Sequence, residues 1–221
     1  MPVVVSIEGN IGAGKTTLLE ALVPRVFAPD AVALVPEPVE HWQASGVLGL
    51  FYEEPRRWAY SFQSYAFLSR LRAQVSAVRA PPAPAIVLER SVWSDRHVFA
   101  AHCRATGLFA EPAEGIMYDD WHDWLMDEAF GTETRLDGIV YVRSSPPVCL
   151  ERIQRRARSE EAVIPLAYLS DLHARHEAWL QRAEAPVLTI DGDTLCWEDP
   201  QAVDALGARL RAFVGGLSRT I

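Results

Sequence analysis

The chain has 221 residues, 49% of them hydrophobic and 23% charged, and carries a formal net charge of −8. That length suits one large domain with its own core, and the acidic balance excludes the basic footprint of a nucleic-acid binder. No run of about 18 apolar residues is available for a membrane span, and Cys103, Cys149 and Cys196 lack metal or redox-motif spacing and read as reduced thiols of a cytoplasmic protein.

The first apolar run, residues 3–7, is predicted as a strand. It starts so close to Met1 that no signal or transit peptide is expected ahead of it. Directly after it stands Gly9-Asn10-Ile11-Gly12-Ala13-Gly14-Lys15-Thr16-Thr17, which fits G-x-x-x-x-G-K-[ST]. Glycines at this spacing let backbone N–H groups turn inward around phosphate oxygens at the positive end of the next helix. Lys15 is placed to reach the β and γ phosphates, and the Thr16 hydroxyl to ligate Mg²⁺. Lys15 is also the only lysine, every other one of the 21 basic residues being an arginine. A lone ammonium retained in an arginine-rich chain points to a site that needs a compact point charge. The motif therefore implies a nucleoside triphosphate site with ATP and Mg²⁺.

Four further short hydrophobic runs follow, at residues 31–35, 85–88, 138–142 and 187–190. None alternates, as expected of strands buried on both faces of a parallel sheet. Between them helices are predicted over residues 14–27, 55–79, 91–103, 118–130, 147–156, 165–182 and 200–214, with a proline-rich loop at 81–84. Alternating strands and helices imply an α/β fold with a five-stranded parallel sheet in a single domain over 1–221. No Asn-Lys-x-Asp segment can exist with one lysine, so a GTPase is excluded, and the third strand ends in Leu88-Glu89-Arg90-Ser91 rather than paired carboxylates. A small kinase is favoured.

Several segments beyond the loop converge on one family. They include Pro36-Glu37-Pro38-Val39-Glu40-His41-Trp42, Phe62-Gln63-Ser64-Tyr65, Ser69-Arg70-Leu71-Arg72, Glu89-Arg90-Ser91-Val92-Trp93-Ser94-Asp95-Arg96, Asp120-Trp121-His122-Asp123-Trp124 and the arginine-rich stretch 152–161. Together they resemble the deoxynucleoside kinase family, nearly end to end. The resemblance implies a P-loop kinase fold with an arginine-rich lid at about 152–162, acting in nucleotide salvage. It makes Glu37 the general base toward the 5′-hydroxyl, where a carboxylate about 3 Å away can take the proton. Glu40, three residues on, reads only as solvent-facing. Glu89 is implied to join Thr16 in holding Mg²⁺, and Arg90 to hold the 5′-oxygen and the base. Arg152, Arg156 and Arg158 fall on lid positions, where guanidiniums stabilise charge on the transferred group. Arg155 does not, and on a helix it reads as a surface residue. Asp191 is assigned with the P-loop to the donor nucleotide.

On the nucleoside side, Gln63, Ala66 and Arg70 recur at i, i+3 and i+7 on one helix face. Gln63 carries a donor and an acceptor for a base edge. The resemblance pairs Arg70 with Asp95, sandwiches the base between Phe62 and Phe99, and assigns Tyr52 and Glu161 to the sugar 3′-hydroxyl. It places Trp42, Leu48 and Phe51 in the same pocket. Phe62 and Phe99 have an ordinary alternative as core residues. The Arg70–Asp95 pair with Ala66 points to the deoxycytidine and purine-deoxynucleoside branch, because a thymine methyl would press on a charged pair that is costly to desolvate. A homodimer is implied, with Trp121 and Trp124 suited to its interface, or equally to a monomer's core. Two other readings stay open: a nucleoside monophosphate kinase of thymidylate type, and a non-catalytic nucleotide-binding subunit. Glu37 would repel an acceptor phosphate in the first, and intact Glu37, Lys15 and Arg90 speak against the second.

Overall fold

The five β-branched runs form five strands, β1 (Val3–Glu8), β2 (Val32–Val35), β3 (Ala85–Glu89), β4 (Gly138–Arg143) and β5 (Val187–Asp191). All neighbouring pairs are parallel, in the order β2-β3-β1-β4-β5. The computed structural model describes residues 1–80, 83–195 and 197–217. Pro81 and Pro82 of the predicted proline-rich loop, and Cys196, lie outside the described residues. Every residue of β3 is buried, as is all of β4 except Arg143, which explains why their sequences are continuously apolar rather than alternating. The chain leaves β1 toward one edge of the sheet and β4 toward the other. That reversal opens a crevice at the strands' carboxyl ends, where α/β sheets bind ligands.

The helices are α1 (residues 15–26), α2 (Val39–Ala44), α3 (Val47–Glu53), α4 (Pro55–Arg79), α5 (residues 92–105), α6 (residues 112–129), α7 (Gly131–Thr134), α8 (Pro146–Arg156), α9 (Leu166–Leu180) and α10 (Pro200–Gly216). Proline occupies the first turn of α4, α6, α8 and α10, where its missing N–H costs no hydrogen bond. Two differences from the predicted elements have local causes. Helix α6 begins at Pro112, six residues ahead of the expected start, because that proline opens the helix before its aromatic stretch. Helices α2 and α3 were not predicted: each is too short to show a period, and Gly46 at φ 73 separates them. Their buried Trp42, Leu48 and Phe51 nevertheless fold beneath α4.

Two apolar clusters matter most. One fills the sheet face under α1, with Val5, Ile7, Leu18, Leu19, Leu22 and Val140. Each such side chain contributes roughly 1.5–3 kcal/mol by leaving water. The other joins α2–α6 through Trp42, Phe51, Phe62, Phe67, Val92 and Tyr118, and floors one half of the crevice. No helix among the described residues is long and apolar enough to cross a membrane.

Candidate active site

The turn from β1 into α1 is shaped by close backbone approach. A Cβ on Gly9 would come 2.5 Å from the Val142 carbonyl oxygen, and one on Gly12 the same distance from that of Cys149. Both glycines also have positive φ, 146 and 78, so a side chain at either is excluded twice over. Asn10 anchors the turn from within: its Nδ2 donates to the Leu169 carbonyl at 2.8 Å and its Oδ1 accepts from the Ile11 N–H at 2.9 Å. Lys15 Nζ donates to the Asn10 carbonyl at 2.8 Å. Burial, then the nearby Arg90 charge, pulls the Lys15 pKa down to about 8, against Glu37 and Glu89. Thr16 Oγ1 donates to Glu89 Oε1 at 2.6 Å. Arg152 reaches the turn from α8, donating to the Ala13 carbonyl at 3.1 Å and the Gly192 carbonyl at 2.7 Å. An ammonium and a guanidinium beside a glycine-rich turn at a helix start are suited to a polyphosphate.

The turn opens into a cavity of about 1230 Å³. At its centre four ionic side chains from four places in the chain meet. Glu37 follows β2, Arg70 comes from α4, Arg90 follows β3 and Asp95 lies in α5. Arg70 Nη2 contacts Glu37 Oε1 at 2.5 Å, its Nη1 pairs with Asp95, and Arg90 Nε lies 3.3 Å from Glu37 Oε1. Burial pushes the Glu37 carboxyl up, but Arg90, Arg70 and Lys15 together outweigh it and hold the group below its ordinary pKa. Glu37 is therefore ionised at neutral pH.

The nucleoside-side residues named from the sequence all line this cavity: Glu37, Trp42, Leu48, Phe51, Tyr52, Phe62, Gln63, Ala66, Arg70, Arg90, Asp95, Phe99 and Glu161. Trp42 is fixed by its Nε1–H to Ser69 Oγ at 2.9 Å, and the Arg70 guanidinium lies 5.3 Å from its ring centre. Phe62 stacks on Phe51 with centroids 4.8 Å apart, and Phe99 faces the Arg90 guanidinium at 4.8 Å. Glu161, in the turn Ser159–Val163, is buried and pairs with Arg156 and, at 3.4 Å, with Arg158. Burial, then the Glu161 and Glu37 charges, push the Tyr52 phenol well up. Arg155 is exposed and pairs with Glu151, one turn away, although it too lies at the cavity's edge.

Asp191 stands apart. It is exposed at the end of β5 and accepts from the Asp193 N–H at 3.0 Å, while Asp193, Thr194, Leu195 and Trp197 line the cavity in its place. Glu8 was missed in the sequence. Wholly buried at the end of β1, it accepts from the Ser91 N–H at 2.8 Å and the Ser91 hydroxyl at 2.6 Å, and so fixes the start of α5 beside Arg90. A carboxylate closing a strand that is apolar but for Ser6 was the available signal.

A family model described as deoxynucleoside kinase matches residues 5–214. The chain is 42% identical to the deoxycytidine kinase of Mus musculus, over 85% of this chain and 82% of that protein. It is 38% identical to deoxycytidine kinase 1 of Xenopus laevis, over 96% and 91%. The mitochondrial deoxyguanosine kinase of Xenopus laevis matches at 34% identity, over 96% and 89%. With its glycine turn, its all-parallel five-stranded sheet and these matches, the chain belongs to the deoxynucleoside kinase family.

Proposed function

We propose that this protein transfers the γ-phosphoryl group of ATP to the 5′-hydroxyl of deoxycytidine, of purine deoxynucleosides or of both, with one kinase domain over residues 1–221 and a lid at about 152–162. The observation that carries the reading is the ionised Glu37 held by Arg70 and Arg90 in the cavity that also receives Lys15. Glu37 takes the 5′-proton as transfer proceeds. Lys15, Arg90 and the lid arginines Arg152, Arg156 and Arg158 stabilise charge spread over the moving group. Arg156 and Arg158 exchange their contact with Glu161 for the triphosphate, which frees Glu161, with Tyr52, for the sugar 3′-hydroxyl.

Thr16 and Glu89 present a hydroxyl and a carboxylate oxygen 2.6 Å apart, hard donors of the kind Mg²⁺ takes together with phosphates. They would hold that ion, which when bound neutralises charge on the β and γ phosphates. Gln63 reads the base edge between Phe62 and Phe99, and the Arg70–Asp95 pair turns away a thymine methyl.

The free, buried thiols of Cys103 and Cys149 support a cytoplasmic setting. A homodimer is supported by the exposed apolar face of α6, where Ile116, Met117, Trp121 and Trp124 remain open to solvent. The test of the reaction is labelled ATP offered with deoxycytidine or with dTMP. Label on the 5′-monophosphate of deoxycytidine, or of deoxyadenosine or deoxyguanosine offered in the same way, is the expected result. Label passed only to dTMP, or nucleoside binding without transfer, contradicts the proposal.

A further inference from the structure

His176, on α9, has no exposed surface, and each ring nitrogen faces a partner of fixed character. Nδ1 lies 2.7 Å from the Leu172 carbonyl oxygen, which only accepts, so Nδ1 carries the proton. Nε2 lies 3.5 Å from Arg90 Nη1, which only donates, so Nε2 presents its lone pair. The two neighbours thus select a single neutral tautomer. Burial, followed by the Arg90 charge, holds the imidazole well below its ordinary pKa. The ring plane is fixed as well. It lies nearly parallel to Tyr141, 6.2 Å away, and nearly perpendicular to Phe99 at 6.4 Å. The Tyr141 hydroxyl is itself held by donating to Glu177 Oε1 at 2.6 Å.

Arg90 has need of such a support. Its backbone takes φ 64, in the left-handed region, a strained conformation for a residue with a Cβ. Its N–H is tied to the Ile7 carbonyl at 3.0 Å. The guanidinium then meets Glu37 on its Nε side, Phe99 across its face and His176 at Nη1. We propose that His176 is a positioning residue for Arg90, a neutral acceptor of set tautomer that fixes the rotation of the guanidinium and so the edge it turns to Glu37 and the reacting oxygens. The proposal rests on the role given to Arg90 above. The same helix is tied to the phosphate-binding turn through Asn10 and Leu169, so α9 registers Arg90 against the donor phosphates.

Two replacements separate positioning from packing. His176→Phe keeps a flat ring and loses the acceptor, whereas His176→Gln keeps an acceptor able to reach Arg90. The Phe variant should lose about 10- to 100-fold in kcat, the range that partners orienting a metal ligand are worth and taken as the scale for orienting Arg90. Its nucleoside Kd should stay within about twofold, and the Gln variant should recover most of kcat. In an Arg90→Met background, His176→Phe should cost nothing more. Wild-type kcat in the Phe variant, equal losses in Phe and Gln, or a full further loss in the Arg90→Met background each overturn the positioning role. If Arg90→Met alone keeps wild-type kcat, the role of Arg90 falls and this inference falls with it, a result visible in that single variant. Thermal melts accompany each variant, and should the Phe protein not fold, His176→Met carries the same comparisons.

Discussion

The two ends of the cavity are built by different means. The first end is largely backbone, the turn from Gly9 to Gly14, whose shape follows from Gly9 and Gly12 passing within reach of the Val142 and Cys149 carbonyls. The start of α1, with Lys15, supplies its positive potential. The acceptor end is made of side chains, with Glu37, Arg70, Arg90 and Asp95 compensating one another in a buried cluster. A backbone cradle recognises a phosphate chain without regard to what else the ligand carries. A buried ionic cluster is selective and brittle, because removing one member strands another without its partner. Generic donor binding and selective acceptor binding are what the proposed function expects of ends made in these two ways.

The largest expected effect is at the base. Glu37→Gln should lower kcat by about 10³-fold while nucleoside still binds, read by steady-state turnover and a binding titration. Next comes Arg70→Met, which leaves Asp95 buried without its cation and should lower stability by about 3 kcal/mol in urea denaturation. Adding Asp95→Ala should recover part of that loss, since the stranded charge is gone. At the donor end, Gly12→Ala meets both the positive φ and the Cys149 carbonyl, and should raise the KM for ATP at least about tenfold. If the alanine variant binds ATP normally, the backbone account of the cradle is wrong.

Smaller effects follow from protonation and from the surface. In the proposed reaction the charged form of Lys15 is the useful one, and burial and Arg90 bring its pKa down to about 8, so kcat/KM for ATP should fall as pH rises through that value. Glu37 is held below its ordinary pKa and should add no acidic limb between about pH 5 and 7. Arg155→Ala should leave turnover unchanged and stability within about 0.5 kcal/mol, in contrast to Arg156→Ala, which removes a partner of the buried Glu161.

The donor end was legible because its residues are contiguous and their spacing carries the mechanism. All five strands were legible too, as short runs rich in Val, Ile and Leu: β3 and all of β4 but Arg143 are buried and therefore continuously apolar, while the edge strands β2 and β5 keep their apolar runs although part of each is exposed. The acceptor end was readable only through resemblance: Glu37, Arg70 and Asp95 lie far apart in the chain, and nothing in the sequence alone brings them together. Residues that act through others left still less trace. His176 is one histidine among six, and its meaning depends on the Leu172 carbonyl and Arg90 that flank its ring. Helices α2 and α3 escaped because a stretch of six or seven residues shows no period. Asp191 was assigned to the nucleotide, yet it is the residues after it that reach the cavity.

The most direct test of the central claim is turnover of deoxycytidine, deoxyadenosine, deoxyguanosine and thymidine with ATP and Mg²⁺, compared as kcat/KM in one preparation. The account predicts transfer to deoxycytidine or the purine deoxynucleosides in clear preference to thymidine, with that preference weakened when Arg70 and Asp95 are both replaced by apolar residues. Thymidine as the best acceptor, or a preference that survives loss of the charged pair, would contradict it.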